Sequence, residues 1–242
     1  MIEPRPVWRG FCFGRNAGET RAPCASCAAI VLQLGHTRGR SIELSAFQFL
    51  EPGPLIDGEL ELVEPDRRYI DHVLAASRHP LTLQLSPEQS KVTRQGLVDF
   101  LAAASSGRHK GDERRGLTPS YHFWMKLSDP AAEQAGVRIA GSIGLRIGET
   151  LNIVRYVGHI GYQVYPPARG RRLSERACRL LLPLARRHGM TTLWITCNPD
   201  NLASRRTCER LGATMVDIVP VPKDHDLYAR GDYEKCRYRL DL

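Results

Sequence analysis

The side chains best suited to chemistry fall in two stretches, 159–174 and 197–208. Arg169-Gly170-Arg171-Arg172-Leu173-Ser174 leads into a basic run that reads as a helix. A helix start presents unpaired backbone N–H groups and the positive end of its dipole, which suits a phosphate or pyrophosphate. Arg169, Arg171 and Arg172 add charge-assisted donors. Asn201 stands at the start of a later helix, and Ser204 falls three residues on, along the same helical face. Cys208 follows on that helix. Upstream, strand alternation puts His159 on one face with Gly161, Gln163 and Tyr165. A histidine titrates near neutral pH and suits a general base. Each feature also has a plainer role. These are a capped surface helix, a helix-cap Asn, a His bonded within a sheet and a Cys filling a core.

Two weaker signals lie elsewhere. Cys24-Ala-Ser-Cys27 has the spacing of half a zinc site, which His36 or Cys12 would complete, but a second CxxC is missing and no metal is expected. The polar loop 222–234 carries Asp224, His225, Asp226, Tyr228, Arg230 and Asp232. It is either a solvated turn or the border of a pocket for a cationic amine.

The elements that must position these residues follow from periodicity and breakers. Residues 1–57 read as an irregular N-terminal extension, with a short helix over 28–34 and a linker at Glu51-Pro-Gly-Pro54. From 58 to 242 the pattern is that of one domain. Strands are expected at 60–63, 121–127, 137–147, 157–165, 193–197, 213–221 and 235–241. Helices are expected at 67–77, about 86–104, 172–188 and up to Leu211, with Gly189 and Gly212 as stops. Only two strands lead directly into helices, so the class is α+β around one mixed sheet and not a doubly wound fold.

Composition bounds the function. The 242 residues are 42% hydrophobic and 25% charged, which excludes a disordered, collagen-like or coiled-coil chain. No apolar run approaches the roughly 20 residues of a membrane span, and no signal peptide is evident, so a cytoplasmic, non-membrane protein is expected. Seven cysteines scattered through regular elements read as reduced thiols. The net charge is +8, and residues 167–210 hold ten arginines against three acids, which implies an anionic partner. Nucleic acid is one candidate. However, base stacking needs exposed aromatics, and the basic stretch offers only Trp194.

Strand, Pro-Pro turn, Arg-rich loop, helix, strand, Asn, helix, Gly: this order over 158–212 resembles the GNAT acyltransferases, including a bacterial subgroup of predicted acetyltransferases. The resemblance covers about 58–242 and is strongest over 158–175 and 196–204. It implies a mostly antiparallel sheet of about six to seven strands with helices on both sides, and a notch where strand 157–165 splays from strand 193–197. It further implies that acetyl-CoA lies in this notch and donates its acetyl group to a primary amine by direct attack in a ternary complex. By the same resemblance, the pantetheine pairs with the backbone near Gln163, Val164 and Tyr165, the pyrophosphate sits on Arg169 to Ser174, and Asn201 and Ser204 contact the cofactor. The family's loop expects Gly at Arg172 and Gly or Ala at Ser174. A Glu that serves many relatives as base falls at His159, and a Tyr that serves as acid falls at Cys208, so Cys208 and Ser204 become the candidate donors. A degenerate domain that binds CoA or a protein without turnover is the alternative. A homodimer is compatible with the sequence.

Overall fold

The computed structural model describes residues 47–104, 107–112 and 117–242. In chain order these form β1 (Ile56–Asp57), β2 (Leu60–Val63), α1 (Ile70–Ser77), α2 (Pro80–Leu85), α3 (Arg94–Ala103), β3 (Arg108–His109), β4 (Ser120–Leu127), α4 (Asp129–Ala135), β5 (Ile139–Arg146), β6 (Ile160–Val164), α5 (Leu173–Arg187), β7 (Thr192–Cys197), α6 (Leu202–Leu211), β8 (Thr214–Pro220), α7 (Asp226–Ala229) and β9 (Glu234–Asp241).

Alternation along β4 sends Tyr121, Phe123, Met125 and Leu127 to one face, where all are buried. The register carries that face across Leu145, Ile143 and Gly141 of β5 to Ile160, Tyr162 and Val164 of β6. Helix α5 covers it with Ala177, Cys178, Leu181, Leu184 and Ala185, a helical stripe that is fully buried. The opposite face is covered by α1 through Ile70, Val73 and Leu74. Fully burying each such large aliphatic side chain contributes roughly 1.5–3 kcal/mol.

Strands β1-β2-β4-β5-β6 form one antiparallel sheet, with β3 also paired to β4. Strands β7-β9-β8 form a second antiparallel sheet. The sheet therefore divides between β6 and β7, the two strands joined by α5.

Several elements differ from the sequence expectation. The helix expected over about 86–104 is two pieces, a 3₁₀ turn Pro87–Lys91 and α3. Thr93 breaks them by accepting the Gly96 N–H at 3.1 Å as an N-cap. Helix α2 is capped by His79, whose Nδ1 accepts the Leu81 N–H at 3.2 Å. Helix α4 ends at Gly136 in the left-handed region, φ 68°. The strand expected from 157 begins only at Ile160, because Ile153–Val157 forms a π-turn. The loop 222–234 contains α7. The extension expected to run to 57 is tied down within the described residues. The Tyr121 hydroxyl accepts the Leu50 N–H at 2.7 Å, and Arg108 holds the Glu51 carboxylate at 2.9 and 2.8 Å. Cys12, Cys24, Cys27, His36 and the helix expected over 28–34 lie outside the described residues.

Candidate active site

The notch opens where β6 and β7 part. At its closed end the His159 N–H donates to the Trp194 carbonyl at 2.6 Å, and the Trp194 N–H donates to His159 Nδ1 at 2.8 Å. Gly158 permits this approach. A Cβ there would stand 3.0 Å from both the Trp194 oxygen and the Thr196 nitrogen, and its φ is +70°. Arg146 braces the same corner, donating to the Gly158 carbonyl at 3.0 Å.

His159 is fully buried, and burial holds its pKa down at about 4. The ring is neutral at pH 7. Nδ1 accepts the Trp194 N–H, so the proton sits on Nε2, which faces the Gly148 backbone without closing a hydrogen bond. The one basic lone pair is occupied. This geometry suits a pin holding two strands together, with the ring nitrogen that a base would use bonded to the Trp194 backbone.

The register fixes which backbone groups of β6 face the notch. The Tyr165 N–H donates to the Ala140 carbonyl at 2.7 Å, and the Arg146 N–H donates to the His159 carbonyl at 2.8 Å. Odd residues of β6 thus carry the ladder to β5, and the N–H and C=O groups of Ile160, Tyr162 and Val164 point to the open edge. Arg169 Nε already reaches the Val164 carbonyl at 3.2 Å. Of the three backbone positions expected, Val164 faces the notch, while Gln163 and Tyr165 serve the sheet.

A 3₁₀ turn, Pro166–Ala168, carries the chain to α5. Arg172 is the N-cap of α5 and the one non-glycine among the described residues with positive φ, 55°. The position has the left-handed backbone shape that the glycine expected there would adopt, at a cost of about 1–2 kcal/mol for an arginine. No side chain caps this helix start, so the N–H groups of Leu173 and Ser174 lie at an open positive end. Gly170, φ 86°, turns the loop with nothing within 4 Å of its would-be Cβ. Arg171 reaches Gln134 of α4 at 2.8 Å.

Helix α6 supplies the other wall. Asn201 is its N-cap, and Oδ1 accepts the Ser204 N–H at 3.0 Å. That leaves Nδ2 as the donor a ligand could use. Ser204 Oγ lies 2.8 Å from the Tyr162 hydroxyl of β6. One chain of contacts therefore runs from Asn201 through Ser204 across to β6. Cys208 is fully buried against Cys197, and that thiol contact, with burial, drives its pKa up. The residue considered as an acid thus sits in the core beside Cys197.

Many of the arginines bind protein. Arg176 holds Asp57 and Glu59 at 2.6 Å each, Arg179 takes the Arg210 carbonyl at 2.6 Å, Arg187 takes the Glu51 carbonyl at 2.6 Å, and Arg205 takes the Pro199 carbonyl at 3.2 Å. The basic stretch is thus partly a set of braces; at the α5 entrance Arg169 and Arg171 also hold protein groups, Val164 and Gln134, and stand beside Arg172. Sequence reasoning missed Tyr162 and Trp194, whose roles arise from contacts 42 and 35 residues away. Among the described residues there is no cluster of three metal-ligating side chains, and no helix is long and apolar enough to cross a membrane.

The family model described as acetyltransferase (GNAT) domain matches residues 60–214, more than half of the chain. Comparison with curated proteins gave no match. Among solved structures, the microcin C7 self-immunity acetyltransferase in complex with acetyl-CoA and AMP aligns at 18% identity, covering 77% of this chain and 94% of that one, with a TM-score of 0.55. A putative ribosomal-protein-serine acetyltransferase from Vibrio cholerae aligns at 18% identity, covering 80% and 100%, with a TM-score of 0.55. A GCN5-related N-acetyltransferase from Brucella melitensis aligns at 18% identity, covering 80% of each chain, with a TM-score of 0.54. At these identities the structures speak for the fold, and the fold is the one derived above: a mostly antiparallel sheet split at one strand pair. The chain belongs to the GNAT acetyltransferase family.

Proposed function

We propose that this protein is an acetyl-CoA-dependent N-acetyltransferase that moves an acetyl group to a primary amine by direct attack in a ternary complex. The observation that carries the reading is the open edge of β6 beside the uncapped start of α5. One offers a strip of amide groups, as a pantetheine arm needs. The other offers N–H groups and arginines, as a pyrophosphate needs. They lie in sequence along one path, with Val164 and Arg169 in contact between them.

In this reading Val164 pairs with the pantetheine amide as an added strand would. Leu173, Ser174, Gly170 and the Arg169, Arg171 and Arg172 side chains hold the pyrophosphate, and Asn201 Nδ2 donates to the arm from the far wall. The acetyl carbonyl is placed near the divergence of β6 and β7. The amine nitrogen attacks it, the C–S bond breaks with its electron pair on sulfur, and the amine's proton leaves to water. His159 keeps the notch at its width. Acids on the loop 222–234 suit a cationic acceptor such as a polyamine, aminoglycoside, amino acid or protein N-terminus.

The test is release of free CoA from acetyl-CoA when a panel of those amines is added. Acetylation of at least one, confirmed by a mass gain on the amine, is expected. Tight CoA binding with no turnover across the panel would favour a domain that binds CoA without catalysis, a reading that the strained Arg172 and buried Cys208 also suit.

A further inference from the structure

Asp232 and Lys235 form a charged pair inside the protein, 4% and 8% exposed, with Lys235 Nζ 3.1 Å from Asp232 Oδ2. Taking two charges out of water can cost more than their attraction returns, and a well-packed apolar filling often holds a core as well. Such a pair is best explained by a geometry that it fixes, and here it fixes Asn198. The Asn198 Nδ2 donates to Asp232 Oδ1 at 2.6 Å, and Asn198 Oδ1 accepts from Lys235 Nζ at 2.6 Å. The three side chains close a ring in which charged groups engage both ends of the amide, and such hydrogen bonds are the strong ones. The ring joins the residue after β7 to the start of β9. The Asp232 N–H also donates to the Leu227 carbonyl at 3.0 Å, so the loop 222–234 is tied to the same ring.

Asn198 is the first residue of a four-residue turn. Its carbonyl accepts the Asn201 N–H at 3.0 Å, and Pro199 presets the second position. With Asn201 Oδ1 committed to the Ser204 N–H at 3.0 Å, the aim of Asn201 Nδ2 is set by where the turn places its backbone. We infer that Asn198, Asp232 and Lys235 are positioning residues for cofactor binding, holding the turn 198–201 so that Asn201 Nδ2 meets the amide arm of CoA. The inference rests on the N-acetyltransferase reading, in which Asn201 donates to that arm. The three act through Asn201 and not on the reacting atoms. From the sequence, Asp232 was one acid of a polar loop, because the amide it holds lies 34 residues away.

The test is a double-mutant cycle on CoA affinity, measured by calorimetry with Asn198→Ala, Asn201→Ala and the double variant, each shown by its melt to be folded at the assay temperature. Asn198→Ala leaves Asp232 and Lys235 as partners, so no buried charge is orphaned. Each single variant should bind CoA roughly 3–10 times more weakly, the loss of about one hydrogen bond. The double variant should bind within about twofold of Asn201→Ala, because the turn then has no donor left to aim. A purely structural role would lower the melting temperature and leave the affinity of the folded protein where it was. Asn198→Ala protein that binds CoA like wild type therefore overturns the inference, and so do two weakenings that multiply in the double variant. Asn201→Ala protein that binds like wild type removes the donor being aimed and the inference with it, while the CoA site stands. No CoA binding by the wild type would overturn the N-acetyltransferase reading first. Should Asn198→Ala fail to fold, the isosteric Asn198→Asp, which keeps the oxygen facing Lys235 and loses the donor to Asp232, takes its place under the same criteria.

Discussion

Val164→Pro is the substitution that best separates the open edge of β6 from the sheet behind it. Proline removes one backbone N–H and is tolerated on edge strands when that N–H faces outward. The Val164 N–H faces the notch, because the ladder to β5 is carried by odd residues, with Tyr165 donating to Ala140 at 2.7 Å. The sheet therefore loses no hydrogen bond. The side chain is 5% exposed, and its reshaping costs about 1 kcal/mol of stability. For a domain of this size that is a fall in Tm of roughly 2–4 °C. The ligand loses one amide hydrogen bond and meets a ring at the lip of the notch, about 1–2 kcal/mol together. CoA should bind roughly 5–30 times more weakly by calorimetry. Gln163→Pro should do the reverse. It removes a ladder N–H from between β5 and β6 and should cost about 3 kcal/mol or more of stability. A Val164→Pro protein that binds CoA as tightly as wild type would refute the register argument. So would one that unfolds as readily as Gln163→Pro.

Four further outcomes are expected. His159→Asn keeps an acceptor for the Trp194 N–H without a titrating ring. Folded His159 has its pKa near 4 against 6.5 unfolded, so its burial stabilises the fold above pH 6.5, and that contribution fades as pH falls toward 4. Urea melts of the variant should therefore show a shallower loss of stability between pH 6.5 and 4, by an amount on the order of a few kcal/mol, while turnover at pH 7 is largely retained; a variant folded but inactive at pH 7 would restore His159 as the base. Gly141→Ala should destabilise by about 2 kcal/mol or more, since its Cβ would collide with the Gln163 carbonyl; an unchanged Tm would show that the strands part easily there. Asp232→Ala removes the partner of buried Lys235, which lies 3.1 Å away and also holds Asn198 at 2.6 Å, and should cost about 3–5 kcal/mol in chemical denaturation. Arg172→Gly should relieve the left-handed strain, but it adds freedom to the unfolded chain, so stability should change by less than about 1 kcal/mol while CoA binding weakens through the lost guanidinium.

The part of the fold legible in the sequence is the part set by local rules. Helix α5 was placed to within a residue at each end because its apolar stripe, first-turn Glu175, last-turn Arg186 and Arg187 and following Gly189 all agree. Helix α6 was legible from its last-turn Arg210 and the stop at Gly212, and the capping role considered for Asn201 is the one the structure records. Helix α2 was not, because its cap is a histidine, outside the usual capping residues. The stretch 86–104 holds two consecutive start signals, Ser86-Pro87 and Thr93, and periodicity alone joined what Thr93 divides. Val157, read as the first residue of the strand 157–165, instead closes the π-turn Ile153–Val157, whose backbone Arg146 and Thr150 hold. In the candidate site, the uncapped start of α5 was visible because helix-start physics is local. The state of His159 was not, because a neutral ring depends on a backbone donor 35 residues away.

The measurement that tests the central claim most directly is the melting temperature of the purified protein with acetyl-CoA, CoA and ATP in turn. A ligand at 100 times its dissociation constant stabilises by about 2.7 kcal/mol, a rise of roughly 5–10 °C for a chain of this size. A rise with both CoA species and little with ATP is the result predicted for a site that reads pantetheine as well as pyrophosphate. Equal rises with all three would mean that only the phosphates are held, and no rise would mean that the notch between β6 and β7 is not a CoA site.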